Sequence, residues 1–169
     1  MTISAHNRWA WGGDEDGVKP LADCLLMLIR AAGGDGNVLM NVGPRPDGLI
    51  DPEQANRLKD VGAWLAKYGE SIYGTRGGPF KPAAWGVSTR KNKQVFVHVL
   101  KWPAEGVLRL PSIPVKIKTA RVLTGGTVEF KQNNKGISLS VPPADYCEID
   151  TLIVLELKGS AMELAPVEL

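Results

Sequence analysis

The apolar periodicity of this chain changes once, across residues 75–82, and that change limits the folds open to it. Upstream, apolar residues recur at helical spacing between short strand-like runs. Downstream every run is short and turn formers separate them. Leu21, Cys24, Leu25, Leu28 and Ala32 make one stripe of a helix expected over residues 19–32. Leu26, Met27 and Ile29 widen the stripe until the helix is apolar nearly all round, so it has to be heavily covered. Pro20 suits the first turn, where a missing N–H costs nothing. Gly33 and Gly34 end the helix.

Residues 37–42, Asn-Val-Leu-Met-Asn-Val, read as a buried parallel strand, apolar on both faces. The turn Pro46-Asp47-Gly48 follows. Asp51 is expected to cap a second helix, with Pro52 at its first position and Gln54 completing a capping box. Leu58, Val61, Leu65 and Tyr68 give its inner face, and Gly69 stops it. Strand, helix, strand, helix is the repeat of an α/β barrel or open α/β sheet. A barrel needs eight such units in about 250 residues, so this stretch is expected to be only the last part of one. Beyond Trp85, strands are expected over residues 94–100, 107–110, 117–123, 127–131, 137–141 and 151–156. Asn92, Gly106, Pro111, Gly125-Gly126, Asn133-Asn134 and Pro142-Pro143 punctuate them, the pattern of an antiparallel sandwich. The fold class expected is therefore α+β: a partial (β/α) barrel segment over residues 1–78, then an antiparallel β-sandwich over residues 79–169.

Twenty basic residues against 18 acidic give a net charge of +2, with the cations scattered, which makes no case for nucleic acid. No apolar run approaches the roughly 20 residues that span a bilayer. The opening residues have no charged region followed by an apolar core and so are not read as a signal peptide. Cys24 and Cys147 fit neither a disulfide framework nor a metal spacing and are expected to be buried free thiols. His98, among Val95, Phe96, Val97 and Val99, is expected to be a satisfied histidine of the sandwich.

Three blocks carry a resemblance. Arg8-Trp9-Ala10-Trp11 leads into Asp14-Glu15-Asp16. Gly33-Gly34-Asp35-Gly36-Asn37-Val38-Leu39-Met40-Asn41-Val42-Gly43-Pro44 follows, then Pro46-Asp47-Gly48. Gly69-Glu70-Ser71-Ile72-Tyr73-Gly74-Thr75-Arg76 closes the series. In that order and spacing they resemble the end of the catalytic domain of glycoside hydrolase family 29, the α-L-fucosidases. The match is strong over residues 1–82 and weaker over the sandwich, where Ser160-Ala161-Met162 also resembles how these enzymes finish. The resemblance implies a barrel with an appended sandwich that releases α-linked L-fucose with retention, using an Asp nucleophile and a Glu acid/base. Both carboxylates are expected upstream of this chain, which begins in what looks like the seventh strand, so no catalytic residue is assigned within it.

The substrate-binding residues expected from the resemblance are Trp9, Trp11 and Arg8. A flat aromatic buries the apolar C–H face of a sugar at small entropic cost. On an extended loop Trp9 and Trp11 point to opposite sides, so at most one meets the sugar, and Trp9 is the stronger candidate. Arg8 and His6 could donate to hydroxyls, against a locally bonded pair. Asp14, Glu15 and Asp16 read as a surface turn before the helix rather than a catalytic cluster. Asn41 either points into the site or ties down the Gly43-Pro44 turn. Glu70 and Tyr73 read as links to the sandwich, and Asp35 and Asp47 as turn residues. No metal and no cofactor is implied, since retaining hydrolysis runs on carboxylates and water. Fucosylated glycans or glycosides are the expected substrates. Bare barrel faces imply a homo-oligomer or association with the missing upstream chain. The compartment is left open, with a periplasmic or secreted parent enzyme compatible with the resemblance. The rival reading is a carbohydrate-binding or interaction module without hydrolytic activity, with Trp85 and Trp102 as a surface platform.

Overall fold

The computed structural model describes residues 1–13 and 15–168. The apolar stripe forms α1 (Leu21–Gly33), with Pro20 at the cap position rather than in the first turn. Asp51 caps α2 (Pro52–Tyr68), its carboxylate accepting from the Glu53 N–H at 2.8 Å. Gln54 does not complete a capping box. Its side chain is buried and accepts from the Gly43 N–H at 3.1 Å, so it serves the Gly43-Pro44 turn instead.

Residues 37–42 depart from expectation. They form no strand, only one parallel bridge, Thr2↔Asn41. The Ile3 N–H donates to Asn41 O at 3.0 Å and the Asn41 N–H to Met1 O at 2.8 Å. The direction is that of a barrel pair, but the segment is not buried on both faces. Met40 and Val42 pack with α1 residues, while Leu39 is 68% exposed. A parallel strand is buried when helices and neighbouring strands surround it, and here only one side and one edge are covered.

The downstream half is all strand: β1 (Arg76–Gly77), β2 (Gly86–Lys91), β3 (Gln94–Val99), β4 (Val107–Leu110), β5 (Ile117–Val122), β6 (Glu129–Asn133), β7 (Gly136–Ser140) and β8 (Thr151–Leu157). A five-stranded antiparallel sheet runs β1-β2-β3-β8-β5, and a three-stranded one β4-β7-β6. β6 starts two residues later than its apolar run suggests. β2 has no counterpart among the expected strands, because its buried residues are largely polar and satisfied locally. The Ser88 hydroxyl bonds both Phe80 N and Phe80 O, at 3.0 and 2.9 Å, and Thr89 Oγ1 donates to Ser71 O at 2.6 Å.

The two sheets enclose one core. Val95, Val97 and Val99 of β3, with Ile153, Leu155 and Leu157 of β8, meet Leu108, Leu110, Ile137 and Leu139 of the smaller sheet. The opposite face of the larger sheet is also buried, against the helical layer. Val87 joins Cys24, Leu25 and Ile29, and Phe96, Leu152 and Val154 pack with Tyr68. The continuous apolar run of β3 follows from this burial on both faces. Gly33 allows a close approach of α1 to β2, since a Cβ there would lie 2.3 Å from Val87 Cβ. His98 lies on the helical side of its strand with Nδ1 2.7 Å from Asp150 Oδ2 and both side chains fully buried. Its Nε2 has no hydrogen-bond partner among the described residues, so the expected satisfaction is met at one ring nitrogen and not at the other.

Two polar links tie the halves at the surface. Glu70 pairs with Arg121 at 3.2 Å, and the Tyr73 carbonyl accepts from Lys91 Nζ at 2.9 Å. Asp35 does more than turn the chain. In a left-handed conformation, φ 62°, it receives Arg76 Nε at 2.8 Å and the Gly77 N–H at 2.8 Å, with Arg76 Nη2 at 2.5 Å. The Arg76 hydrogen bond and then the Gly77 N–H hold its carboxyl well below the usual carboxylate range. Cys24 is buried, but Cys147 is exposed in the irregular segment before β8, against the expectation of two buried thiols.

Candidate functional site

The site is organised by short polar side chains at the carboxy end of the parallel bridge. Ile3 points into the helical core, so Thr2 and Ser4 point the other way, both buried. They hold the backbone of Arg8 at both ends: Thr2 Oγ1 donates to Arg8 O at 2.8 Å, and the Arg8 N–H donates to Ser4 Oγ at 3.1 Å. Asn7, at φ 60°, supplies the left-handed turn this return requires. Lys19 Nζ caps the end of the bridge, donating to Thr2 O at 2.9 Å, to Asn7 Oδ1 at 2.8 Å and to Ser4 O.

From the other side, Asn41 Nδ2 donates to Trp9 O at 2.8 Å. Asn41 thus ties down the tryptophan loop, rather than the Gly43-Pro44 turn. Gly43 lets that loop come close, for a Cβ there would sit 2.5 Å from Trp11 N. The loop backbone is therefore fixed from three directions while the Trp9 ring stays 66% exposed. Trp11 is half-buried and lines a cleft of about 240 Å³ beside Asp16, Asp51 and Glu53 at the start of α2. The structure places the two tryptophans in different surroundings on one loop.

Arg8 donates from Nη1 to Gly12 O at 2.9 Å, and its Nε lies 3.8 Å from Asp16 Oδ1. His6 Nδ1 lies 3.0 Å from the same carboxylate oxygen and 2.9 Å from Asp16 O. Arg8 and His6 are therefore a locally bonded pair sharing Asp16. Asp16 is only 5% exposed, so the acidic turn is not wholly a solvated surface feature. The Ser4 hydroxyl above all, then His6 and Arg8, hold its carboxyl below the usual range against the opposing push of burial. Both His6 and Arg8 address Oδ1, while Oδ2 is buried with no hydrogen-bond partner among the described residues. Glu15 is exposed, and Asp14 lies outside the described residues. Among the described residues no three His, Cys, Asp or Glu side chains gather as a metal site, and no helix is long and apolar enough to cross a membrane.

Trp85 and Trp102 do not form a platform together, Trp102 being only half-buried. Trp85 is 7% exposed within the sandwich core, and Trp102 lies face to face with Tyr146 at 4.5 Å with its Nε1 donating to Thr151 Oγ1. Sequence reasoning missed Thr2, Ser4, Lys19 and Gln54 as loop-holding groups. The alternation of polar Thr2 and Ser4 around apolar Ile3 is the signal that could have found the first two.

A helical layer with a parallel bridge, an aromatic loop at the carboxy end of that bridge and a β-sandwich behind it is the arrangement of the end of an α/β barrel joined to its carboxy-terminal domain. The comparisons agree. The model of the α-L-fucosidase family matches residues 1–70, and that of the α-L-fucosidase C-terminal domain matches residues 80–158. Tissue α-L-fucosidase of Homo sapiens is 31% identical over 151 residues, 80% of this chain and 31% of that protein. Among solved structures, α-L-fucosidase isoenzyme 1 from Paenibacillus thiaminolyticus is 27% identical with a TM-score of 0.80, covering 94% of this chain and 39% of the other. A family 29 α-L-fucosidase from Bacteroides thetaiotaomicron, caught as a trapped covalent intermediate with 2-fluoro-fucosyl fluoride, is 26% identical with a TM-score of 0.80, covering 94% and 37%. This chain belongs to the α-L-fucosidases of glycoside hydrolase family 29 and corresponds to their carboxy-terminal part. It spans about a third of the length of the curated relatives it matches.

Proposed function

We propose that residues 1–169 serve a retaining α-L-fucosidase that hydrolyses terminal α-L-fucosyl linkages, and that they supply one wall of its sugar site. Trp9 is the contact for the apolar face of the fucose, with Arg8 and Trp11 at the rim. The nucleophile and the acid/base lie outside these residues, and residues 1–78 and 79–169 are the barrel end and the sandwich. The observation that carries this reading is the Trp9 loop: its backbone is held by Thr2, Ser4 and Asn41 while its ring remains open. A ring carried on a fixed backbone and left uncovered at the carboxy end of barrel strands is placed for ligand contact. Retention needs two carboxyl groups about 5–5.5 Å apart across the scissile bond. Asp16, the buried acid of this loop, is engaged by His6 and Arg8. The covalent intermediate trapped in the Bacteroides relative supports the retaining route.

The test is release of the aryl group from an aryl α-L-fucoside by the chain at confirmed intact mass. No turnover is expected. Turnover that tracks this mass through successive purification steps would show that a carboxylate pair within residues 1–169 does the chemistry and would overturn the assignment.

A further inference from the structure

The outer face of the three-stranded sheet carries a charge arrangement that the sugar site does not use. Leu108, Leu110, Ile137 and Leu139 point into the core, so the alternate residues of β4, β7 and β6 point outward. The register sets Arg109, Ser138 and Lys131 in one row across the sheet, and Val107, Ser140 and Glu129 in the next. With strands about 4.8 Å apart, the two cations stem from positions about 10 Å apart on either side of a serine hydroxyl. The small side chains of β7 leave a trough between them. A hollow of about 290 Å³ opens on one side of the row, where Lys135 and Asn133 join, and another of about 300 Å³ on the other, where Ser140 and Glu129 join. Among the described residues the side chains of Arg109, Lys131 and Lys135 make no ion pair, while six Arg or Lys side chains pair with carboxylates elsewhere. Glu129 is the one acid lining either hollow.

We propose that this trough binds a sulfated polysaccharide, a sulfate ester sitting between Arg109 and Lys131 over the Ser138 hydroxyl. The guanidinium fork suits two oxygens of a sulfate, the ammonium supplies a point charge, and the serine donates a third hydrogen bond. The two hollows continue along the strand direction from the central row, so a chain of sugars lies along β7 with its sulfate at the middle. No aromatic side chain of these three strands points outward, which disfavours a single-stranded nucleic acid that needs bases stacked. The charge geometry is independent of the fucosidase reading, whereas the choice of a polysaccharide as carrier rests on it. Fucoside hydrolysis tests that reading, and binding at the sandwich face tests this one.

The experiment is affinity electrophoresis of the 169-residue chain in gels containing dextran sulfate or neutral dextran, with a DNA 20-mer titrated in parallel. The double variant Arg109→Ser/Lys131→Ser is compared with Lys59→Ser/Lys67→Ser, which removes the same charge from exposed positions on α2. Retardation by dextran sulfate and not by dextran is expected. Its affinity should fall roughly tenfold in the first variant, with a salt slope lower by about two, and hold in the second. All four substitutions are at exposed side chains, so folding is expected to survive and circular dichroism confirms it. Equal loss in both variants, equal affinity for the DNA, or no retardation of the wild-type chain overturns the proposal.

Discussion

At Gly33 an added methyl would press on Val87 Cβ, with no flexible side-chain end between them to move aside. Alanine is the better helix former by about 1 kcal/mol, but overpacking against a fixed strand costs about 1–3 kcal/mol or more. Gly33→Ala is therefore expected to lower stability by about 1–2 kcal/mol in urea unfolding, and a rise would mean that α1 is free to shift off β2. Asp35 makes a second test, through acid. Its folded pKa is depressed, so its contribution is present above the unfolded carboxylate pKa of about 4 and is lost as pH falls toward the lower folded value. Asp35→Asn should flatten the loss of stability between about pH 4 and pH 2 in acid titrations followed by circular dichroism. The pair is half-exposed, so its effect at neutral pH should be small. An unchanged acid limb would remove Asp35 as a source of it.

The elements show what local pattern can and cannot reveal. α2 was legible because its start and stop are written in neighbouring residues: Asp51, Pro52 and Gly69. Most strands after Gln94 were legible because apolar runs and turn formers alternate. β2 was not, because Ser88 and Thr89 are buried through hydrogen bonds to Phe80 and Ser71, and polar letters do not announce burial. Residues 37–42 failed in the opposite way: their composition is that of a strand buried on both faces, and the layers to bury it are not in contact with Leu39. Between β3 and the segment before β8, His98 and Asp150 form a buried pair whose second atoms, Nε2 and Oδ1, have no protein partner. Removing one member strands the other. Asp150→Leu should cost about 3 kcal/mol, and the loss in His98→Leu/Asp150→Leu should be smaller than the sum of the losses in His98→Leu and Asp150→Leu. Strict additivity in a denaturant double-mutant cycle would mean the two side chains do not act as a pair.

On the scale of the whole molecule, Trp9, Leu39, Leu49 and Ile50 are exposed on the helical half. With Trp9 assigned to the sugar, we propose that Leu39, Leu49 and Ile50 contribute to a contact between copies of the chain. Light scattering of the chain alone should give a mass above the monomer's 18.2 kDa, reduced by Leu39→Lys. A monomer at high micromolar concentration would argue against this. Motifs brought Arg8, Trp9 and Trp11 to notice, yet the side chains that fix their loop were not legible, because Thr2, Ser4 and Asn41 meet it only through the fold. The larger sheet, buried on both faces, has a consequence for modularity. A sandwich cut out at residue 79 and grafted elsewhere as a cassette would present Val87, Phe96, Leu152 and Val154 to solvent, with His98 and Asp150 beside them. Shuffling such a domain between proteins would succeed only where the recipient brings its own helical cover, which ties the inheritance of the sandwich to that of the barrel end.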